Sequence, residues 1–246
     1  MINGNGNVKE YQKIYNLLSD NKVLIFEGKY LNGERNGQGK EYNTKGVLLF
    51  EGEYLQGKKW NGKGIEYNNN DKLLFEGEYK TGERLNGKIR EYNLFHELIF
   101  EGEYLNGKIN GKGKEYSNGV LVFEGEYING KRNGKGKEYH KNKVLWFDGK
   151  FFNGIRIGEG KEYNKNGELL FDGEYLKGER WNGKGKEYDL YGKLLFNGEY
   201  INGKKINGKK AEYKEGKLVY EGEYLNEKRN GEGEEYEKNG ILIYKG

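Results

Sequence analysis

The chain has no cysteine, no proline, a single methionine, two histidines and four hydroxyl-bearing Ser or Thr residues among 246. Without cysteine there is no disulfide framework and no thiolate metal site, a pattern compatible with a reducing compartment. A Ser/His/Asp nucleophile needs three convergent groups, and Ser19, Ser117, Thr44, Thr81, His96 and His140 are too sparse to suggest one. The two histidines follow the second strands of different repeats, with no partner at ligand spacing. Gly-Lys is never followed by Ser or Thr, which removes the phosphate-cradling loop of nucleotide-binding proteins. We therefore expect a non-enzyme with no catalytic, cofactor-binding or metal residues. Apolar runs such as Val120 to Phe123 are too short for a transmembrane helix. Residues Met1 to Glu10 lack the layout of a signal peptide, and no Asn-x-Ser/Thr acceptor occurs. The expected location is the cytoplasm, with attachment to a membrane or the cytoskeleton left open.

Aliphatic residues are scarce: the mean hydropathy is −1.07 and only 34% of residues are hydrophobic. A large spherical core is therefore out of reach. In compensation there are 22 Tyr, 11 Phe and 3 Trp, and aromatic rings bury far more area than Ala or Val. Charged residues make up 33% of the chain yet nearly cancel, 43 Lys and Arg against 39 Asp and Glu. Such a balance offers no basic stripe for nucleic acid. High charge with abundant aromatics describes an ordered, thin protein pinned by rings rather than a disordered one.

The sequence repeats. Aligned on the aromatic of Phe/Tyr-x-Gly, units begin at Phe26, Phe50, Phe75, Phe100, Phe123, Phe147, Phe171, Phe196, Tyr220 and Tyr244. The spacing is 23 to 25 residues, giving nine units and a truncated tenth over 26–246. In the unit from Phe123, alternation places Phe123, Gly125 and Tyr127 on one face of a strand and Glu124 with Glu126 on the other. Asn-Gly pairs supply turns, so each unit reads as a β-hairpin. The expected fold is all-β, an elongated single-layer meander of tandem hairpins of about 24 residues.

Glycine inside strands is unfavourable unless something needs the space. Gly125 and Gly136 are read as packing holes over which a ring lies flat. On the opposite face, Glu-x-Glu of the first strand (Glu51 and Glu53, Glu124 and Glu126) and Lys-x-Lys of the second (Lys112 and Lys114, Lys135 and Lys137) become cross-strand neighbours if the hairpins register. The same periodicity argues against a two-carboxylate glycosidase, whose site is a unique constellation. Residues 1–25 form an N-terminal cap: Asn3-Gly4-Asn5-Gly6 and Lys9-Glu10-Tyr11 resemble half a unit, whereas Tyr11, Ile14, Tyr15 and Leu18 have helical spacing.

The units resemble the MORN repeat family, in which an aromatic-x-Gly-x-aromatic strand and a Gly precede a polar-Gly-x-Gly strand. Phe50-Glu51-Gly52-Glu53-Tyr54, Gly57 and Asn61-Gly62-Lys63-Gly64 follow this pattern, as do most units between Phe26 and Gly246. Departures are Ile157 for the Asn before Gly, and Ile89 and Lys210 for the second Gly. The resemblance implies a scaffold for protein-protein contacts at membrane-associated or cytoskeletal structures, with self-association as one form. Direct binding of anionic lipid is a second implication. A third is an antitoxin-like module that neutralises a partner protein. The turn cations Lys58, Lys59, Lys131, Arg132, Lys204 and Lys205 are the residues that would face anionic headgroups.

Four units carry one extra residue before Asn-Gly: Trp60, Leu85, Trp181 and Ile206. Two readings stand. Each side chain folds back over its own hairpin, or it is an exposed anchor for a partner, since Trp is enriched among interface hot spots.

Overall fold

The computed structural model describes residues 4–16 and 19–246, and all regular structure among them is β. Two compact units divide the chain, one of Met1–Gly119 with Tyr127–Gly130 and one of Val120–Glu126 with Lys131–Gly246. The first contains β1 (Gly6–Asn16), β2 (Ser19–Leu31), β3 (Glu34–Tyr42), β4 (Leu48–Leu55), β5 (Lys58–Tyr67), β6 (Leu73–Lys80), β7 (Glu83–Tyr92), β8 (Leu98–Leu105) and β9 (Lys108–Ser117). Strand β10 (Val120–Ile128) contributes to both. The second continues with β11 (Lys131–Tyr139), β12 (Leu145–Phe152), β13 (Ile155–Tyr163), β14 (Leu169–Leu176), β15 (Glu179–Tyr188), β16 (Leu194–Ile201), β17 (Lys204–Lys214), β18 (Lys217–Leu225), β19 (Lys228–Tyr236) and β20 (Leu242–Lys245). Within each unit every strand is antiparallel to the next, the meander expected of tandem hairpins.

Turns alternate between two kinds. Within a hairpin, a two-residue turn has both residues in the left-handed region, Asn32 at φ 51° and Gly33 at φ 81°, the geometry that matches strand twist. Between hairpins, an Asn side chain organises the loop: Asn43 Oδ1 accepts from the backbone N–H groups of Lys45 and Val47, both at 2.9 Å. Asn68, Asn93, Asn164 and Asp189 repeat this arrangement.

The N-terminal cap is a strand, not a helix. Tyr11 and Ile14 lie in β1 and pair with Leu24 and Asn21 of β2; Asn3 and Leu18 of the earlier motifs lie outside the described residues. The ladder to β2 satisfies the backbone of β1, and Tyr11 stays exposed, so helical spacing had no core to serve. Glu10 pairs with Phe26 as Glu41 pairs with Phe50, placing β1 as the second strand of a half-unit.

The core is a row of rings over paired glycines. Phe26, Phe50, Phe75, Phe123, Phe147 and Phe171 are fully buried, each burial worth about 1.5–3 kcal/mol. Each ring packs edge-to-face on the Tyr or Phe four residues on and on its counterpart in the following hairpin; Phe50 lies 5.2 Å from Tyr54 and 5.6 Å from Tyr79. A methyl on Gly125 would lie 2.7 Å from Gly136 Cα and 2.7 Å from Phe123 Cζ, and one on Gly136 would lie 2.6 Å from Phe123 Cζ. Both glycines are the packing holes that the alternation suggests.

The extra residue in four hairpins is absorbed locally. In β2–β3, Gly28 pairs with Gly39 and Tyr30 with Arg35, so Asn36 to Gln38 bulge opposite Lys29 and Gly37 turns left-handed at φ 88°. In β4–β5, Glu53 pairs with Asn61 and Tyr54 with Lys59, which leaves Trp60 alone as the bulge and puts Gly62 opposite Gly52. Register between hairpins is unchanged: Gly39 faces Gly52, and Gly64 faces Gly77.

A Gly136→Ala variant is expected to lose about 1–3 kcal/mol by overpacking Phe123, while Thr44→Ala at an exposed turn stays within about 0.5 kcal/mol. Urea unfolding followed by circular dichroism measures both; equal midpoints would remove the ring-on-glycine account.

Candidate interaction surface

On the ring face, every hairpin but one covers its core with a cation and an acid. The cation sits just after the hairpin turn and the acid is the Glu that pairs with the ring position. Arg35 lies 4.2 Å above the Phe26 ring and donates to Glu10 at 2.8 Å, and Tyr30 Oη donates to the same carboxylate. Arg180 repeats this over Phe171 with Glu162, Arg156 over Phe147 with Glu138, and Lys59 over Phe50 with Glu41. A cation over a ring contributes about 0.5–2 kcal/mol depending on desolvation. The cations therefore do two things: they close the core and neutralise the acids.

Titration follows from these contacts. The Arg35 hydrogen bond holds the Glu10 carboxyl below its ordinary range against an opposing effect of burial, and Arg84 does the same for Glu66. Burial, aided by the hydrogen bond to Glu212, pushes the Tyr224 hydroxyl up to about 12. Burial likewise raises Tyr54, Tyr79, Tyr175 and Tyr200.

The ladder breaks once. Cations at positions 35, 59, 84, 132, 156, 180, 205 and 229 give way to Ile109 in β9. Two strands earlier, β7 has Ile89, buried among the rings where most hairpins have glycine, and the second-glycine site is where a Tyr ring rests elsewhere, as Tyr79 does on Gly64. Tyr104 accordingly sits 5.9 Å from Phe75 and makes no hydrogen bond to Glu91 among the described residues. Lys210, the other departure from glycine, turns its ammonium over the Tyr224 ring at 5.0 Å.

On the opposite face, Glu51 lies between Lys40 and Lys63 in register, with Lys40 Nζ at 3.0 Å. Lys161–Asp172 and Arg90–Glu101 are further rungs. The second Glu of some Glu-x-Glu pairs also faces a Lys in register, as Glu78 faces Lys63, and Glu199 at the corresponding position faces Lys184. The second Glu also binds the bulge: Glu53 accepts from Asn61 Nδ2 at 2.8 Å, and Glu126 accepts from the Lys135 backbone at 3.2 Å.

The four inserted residues are half-buried. The six-membered edge of Trp60 comes within 3.7 Å of a Cβ position on Gly82, and Trp181 within 3.4 Å of one on Gly203, so each indole rests on the turn of the following hairpin rather than its own. Backbone bonds reinforce the seat: Gly82 N–H donates to Trp60 O at 3.0 Å and Gly203 N–H to Trp181 O at 2.9 Å. Leu85 and Ile206 occupy matching positions, with Leu85 O accepting from Gly107 at 3.0 Å and Ile206 O from the Asn226 backbone at 2.7 Å.

The large side chains that project into solvent are elsewhere. Leu94 and Phe95 are 95% and 84% exposed, and Leu190 and Tyr191 are 101% and 89% exposed. They occupy the middle of two between-hairpin turns where Thr44-Lys45, Asn69-Asn70 and Lys165-Asn166 stand in others. Their turns are rigid, since Asn93 Oδ1 accepts from Phe95 and Glu97, and Asp189 Oδ1 from Tyr191 and Lys193. An exposed aliphatic or aromatic residue also ends most first strands, among them Leu31, Leu55 and Leu105 in the first unit and Phe152, Leu176 and Ile201 in the second. A comparison of turn positions across repeats is the sequence signal that singles out Leu94-Phe95, Leu190-Tyr191 and Ile109.

His96 holds a left-handed turn position at φ 62°, and His140 stacks on Trp146 with Nε2 3.1 Å from Tyr163 O. Among the described residues no group of three or more His, Asp or Glu is placed to hold a metal.

Stability is expected to peak between the two titrations. Glu10 and Glu66, depressed in the fold, contribute above their unfolded value near 4.5, and this is lost as pH falls through the folded values. Tyr224, raised in the fold, contributes below its unfolded value of 10.0, and this is lost as pH rises through about 12. Thermal melts across pH read both limbs. Glu138→Gln, which weakens the hold on Arg156 and Arg132, is expected to cost about 1.5–3 kcal/mol at neutral pH; an unchanged midpoint would show that these charges only decorate the core.

Comparison with known proteins bears on the repeat. No curated protein matches the chain. Solved structures described as TcdB2-TccC3-Cdc42 and as TcdB2-TccC3 without its hypervariable C-terminal region align over 96% and 97% of this chain. Identity is 10% and 12%, and TM-scores are 0.28 and 0.29. The chain spans only 14% and 13% of those chains' lengths. The MORN repeat profile matches residues 26–47, 100–120, 123–143 and 220–240, each beginning on a ring of the row described above. With the ring, paired glycine and turn recurring there, the chain carries MORN repeats at these four positions.

Proposed function

We propose that the chain is a non-enzymatic scaffold that holds a protein partner, or further copies of itself, through apolar tips carried on the hairpin frame. MORN repeats are generally protein- or membrane-interaction modules. The observation that carries the finer reading is the pair of tips Leu94-Phe95 and Leu190-Tyr191, almost wholly exposed on turns that Asn93 and Asp189 hold in shape. Large apolar side chains displayed on preorganised backbone suit interface anchors, because little ordering remains to oppose binding. The half-buried Trp60, Leu85, Trp181 and Ile206 serve this scaffold as braces between hairpins. His140, engaged with Trp146 and Tyr163, and acids engaged with Arg and Tyr leave the ring face without a free reactive set, which favours binding over catalysis.

A lipid surface is the second reading, and the charges favour it less. Of the six turn cations, Lys59, Arg132 and Lys205 are committed to Glu41, Glu138 and Glu187. That leaves Lys58, Lys131 and Lys204 to face headgroups.

Light scattering across a concentration series, combined with a photo-crosslinking residue at Phe95 or Tyr191, tests the proposal. Cross-links or self-association that Leu94→Asn with Leu190→Asn abolishes, at an unchanged circular dichroism spectrum, are expected. A control cross-linker at Thr44 should give none. Sedimentation with anionic vesicles that survives both substitutions, without cross-links to protein, would overturn it.

A further inference from the structure

Asn-Gly occurs nineteen times in this chain. Asn followed by Gly is chemically the pair most prone to lose its side-chain amide, because the unhindered glycine nitrogen reaches the Asn carbonyl carbon. The fold protects at least seven of these pairs, and it does so in two distinct ways.

In three of the four strands that carry an inserted residue, both arms of the Asn amide are held; in the fourth, Asn207 donates to Glu199 but its Oδ1 has no partner among the described residues. Asn61 Nδ2 donates to Glu53 at 2.8 Å while Asn61 Oδ1 accepts from the Thr81 backbone at 3.0 Å. Asn86 and Asn182 are held in the same manner. In the turns within hairpins, the nucleophile itself is occupied. The N–H of Gly107 donates to Leu85 O at 3.0 Å, that of Gly130 to Ile109 O at 2.8 Å, that of Gly154 to Arg132 O at 2.8 Å and that of Gly203 to Trp181 O at 2.9 Å. A nitrogen that donates to a carbonyl keeps its proton and its place.

Asn118-Gly119 has neither protection. It forms the two-residue turn between β9 and β10, on the edge opposite to those turns, with Asn118 at φ 51° and Gly119 at φ 73°. No hydrogen bond from Gly119 N–H or the Asn118 amide is present among the described residues, and no atom lies within 4 Å of a Cβ position on Gly119. The equivalent short turn in the second unit has Glu215-Gly216, which lacks the amide.

We propose that Asn118 is a site of spontaneous deamidation and isoaspartate formation in the folded protein. The Gly119 nitrogen loses its proton to solvent base and attacks Cγ of Asn118. The Cγ–Nδ2 bond breaks and the side-chain nitrogen leaves as ammonia, closing a succinimide. Water then adds to one of the two ring carbonyls, yielding aspartate or isoaspartate, so the net change is amide plus water to carboxylic acid plus ammonia. The product carries a new negative charge, and isoaspartate adds a methylene to the backbone of a turn that tolerates only two residues.

The test is to hold the full chain, folded, at mildly alkaline pH in heavy-oxygen water and follow each Asn-Gly by peptide mapping. Asn118 is expected to react about fivefold or more faster than Asn106, Asn129, Asn153 and Asn202, the factor that one protein hydrogen bond supplies. In urea the rates should converge, since all share the Asn-Gly sequence. Gly119→Ala, an exposed turn change, should slow Asn118 while leaving the other sites unaltered. Equal rates in the folded protein, or an Asn118 slower than the other turns, would overturn the proposal; so would a rate ratio that persists in urea.

Discussion

The contact on which this structure depends is an aromatic ring lying across two backbones. Phe123 rests on Gly125 of its own strand and on Gly136 of the next, at distances that leave no room for a methyl group. That one packing unit replaces the aliphatic interior of an ordinary domain. It explains how a chain with a mean hydropathy of −1.07 folds: in most hairpins burial is concentrated in two rings four residues apart, and the rest of the surface is free to be polar. It also dictates where glycine must stand, because the close approach is between backbones and not between side chains.

The charges are subordinate to that row. Arg35 and its counterparts lie over the rings as lids, and the acids beside them keep those lids in place and are themselves approached by Tyr hydroxyls. Because each acid belongs to one hairpin and its cation to the next, the ion pairs link neighbours as the rings do. The consequence at Ile109 is instructive: with the cation replaced and Ile89 occupying a glycine site, Tyr104 loses its acid and the local cover thins. One exchange in the pattern thus alters three contacts, which is what a nearest-neighbour architecture implies.

Turns divide the labour differently on the two edges. Within hairpins, the turn glycine donates to the preceding hairpin, so Trp60 and Trp181 brace a seam that backbone hydrogen bonds also close. Between hairpins, each turn is organised by its own Asn or Asp, and neighbouring turns are linked through side chains, as in Lys45–Asp71 and Asn142 to Lys165 O, rather than by the backbone bonds of the other edge. Variation at the middle residues of these turns leaves the fold untouched, and that is where Leu94-Phe95 and Leu190-Tyr191 appear.

Periodicity sufficed for the hairpins, the ring row and the packing role of Gly125 and Gly136, because a strand's faces alternate and each repeat imposes the same alternation. It also located Trp60, Leu85, Trp181 and Ile206 as insertions, since an extra residue is a matter of counting. Three matters depended on tertiary structure. Helical spacing at Tyr11 and Ile14 yielded to the ladder with β2, since an edge strand supplies backbone partners that spacing cannot reveal. Whether an inserted indole is anchor or brace depended on the adjacent turn, brought under it by the register between hairpins. Whether a turn glycine after Asn donates to a carbonyl of the preceding hairpin, as Gly107 and Gly154 do, or has no such bond among the described residues, as at Gly119, was decided by the edge of the meander on which the turn falls.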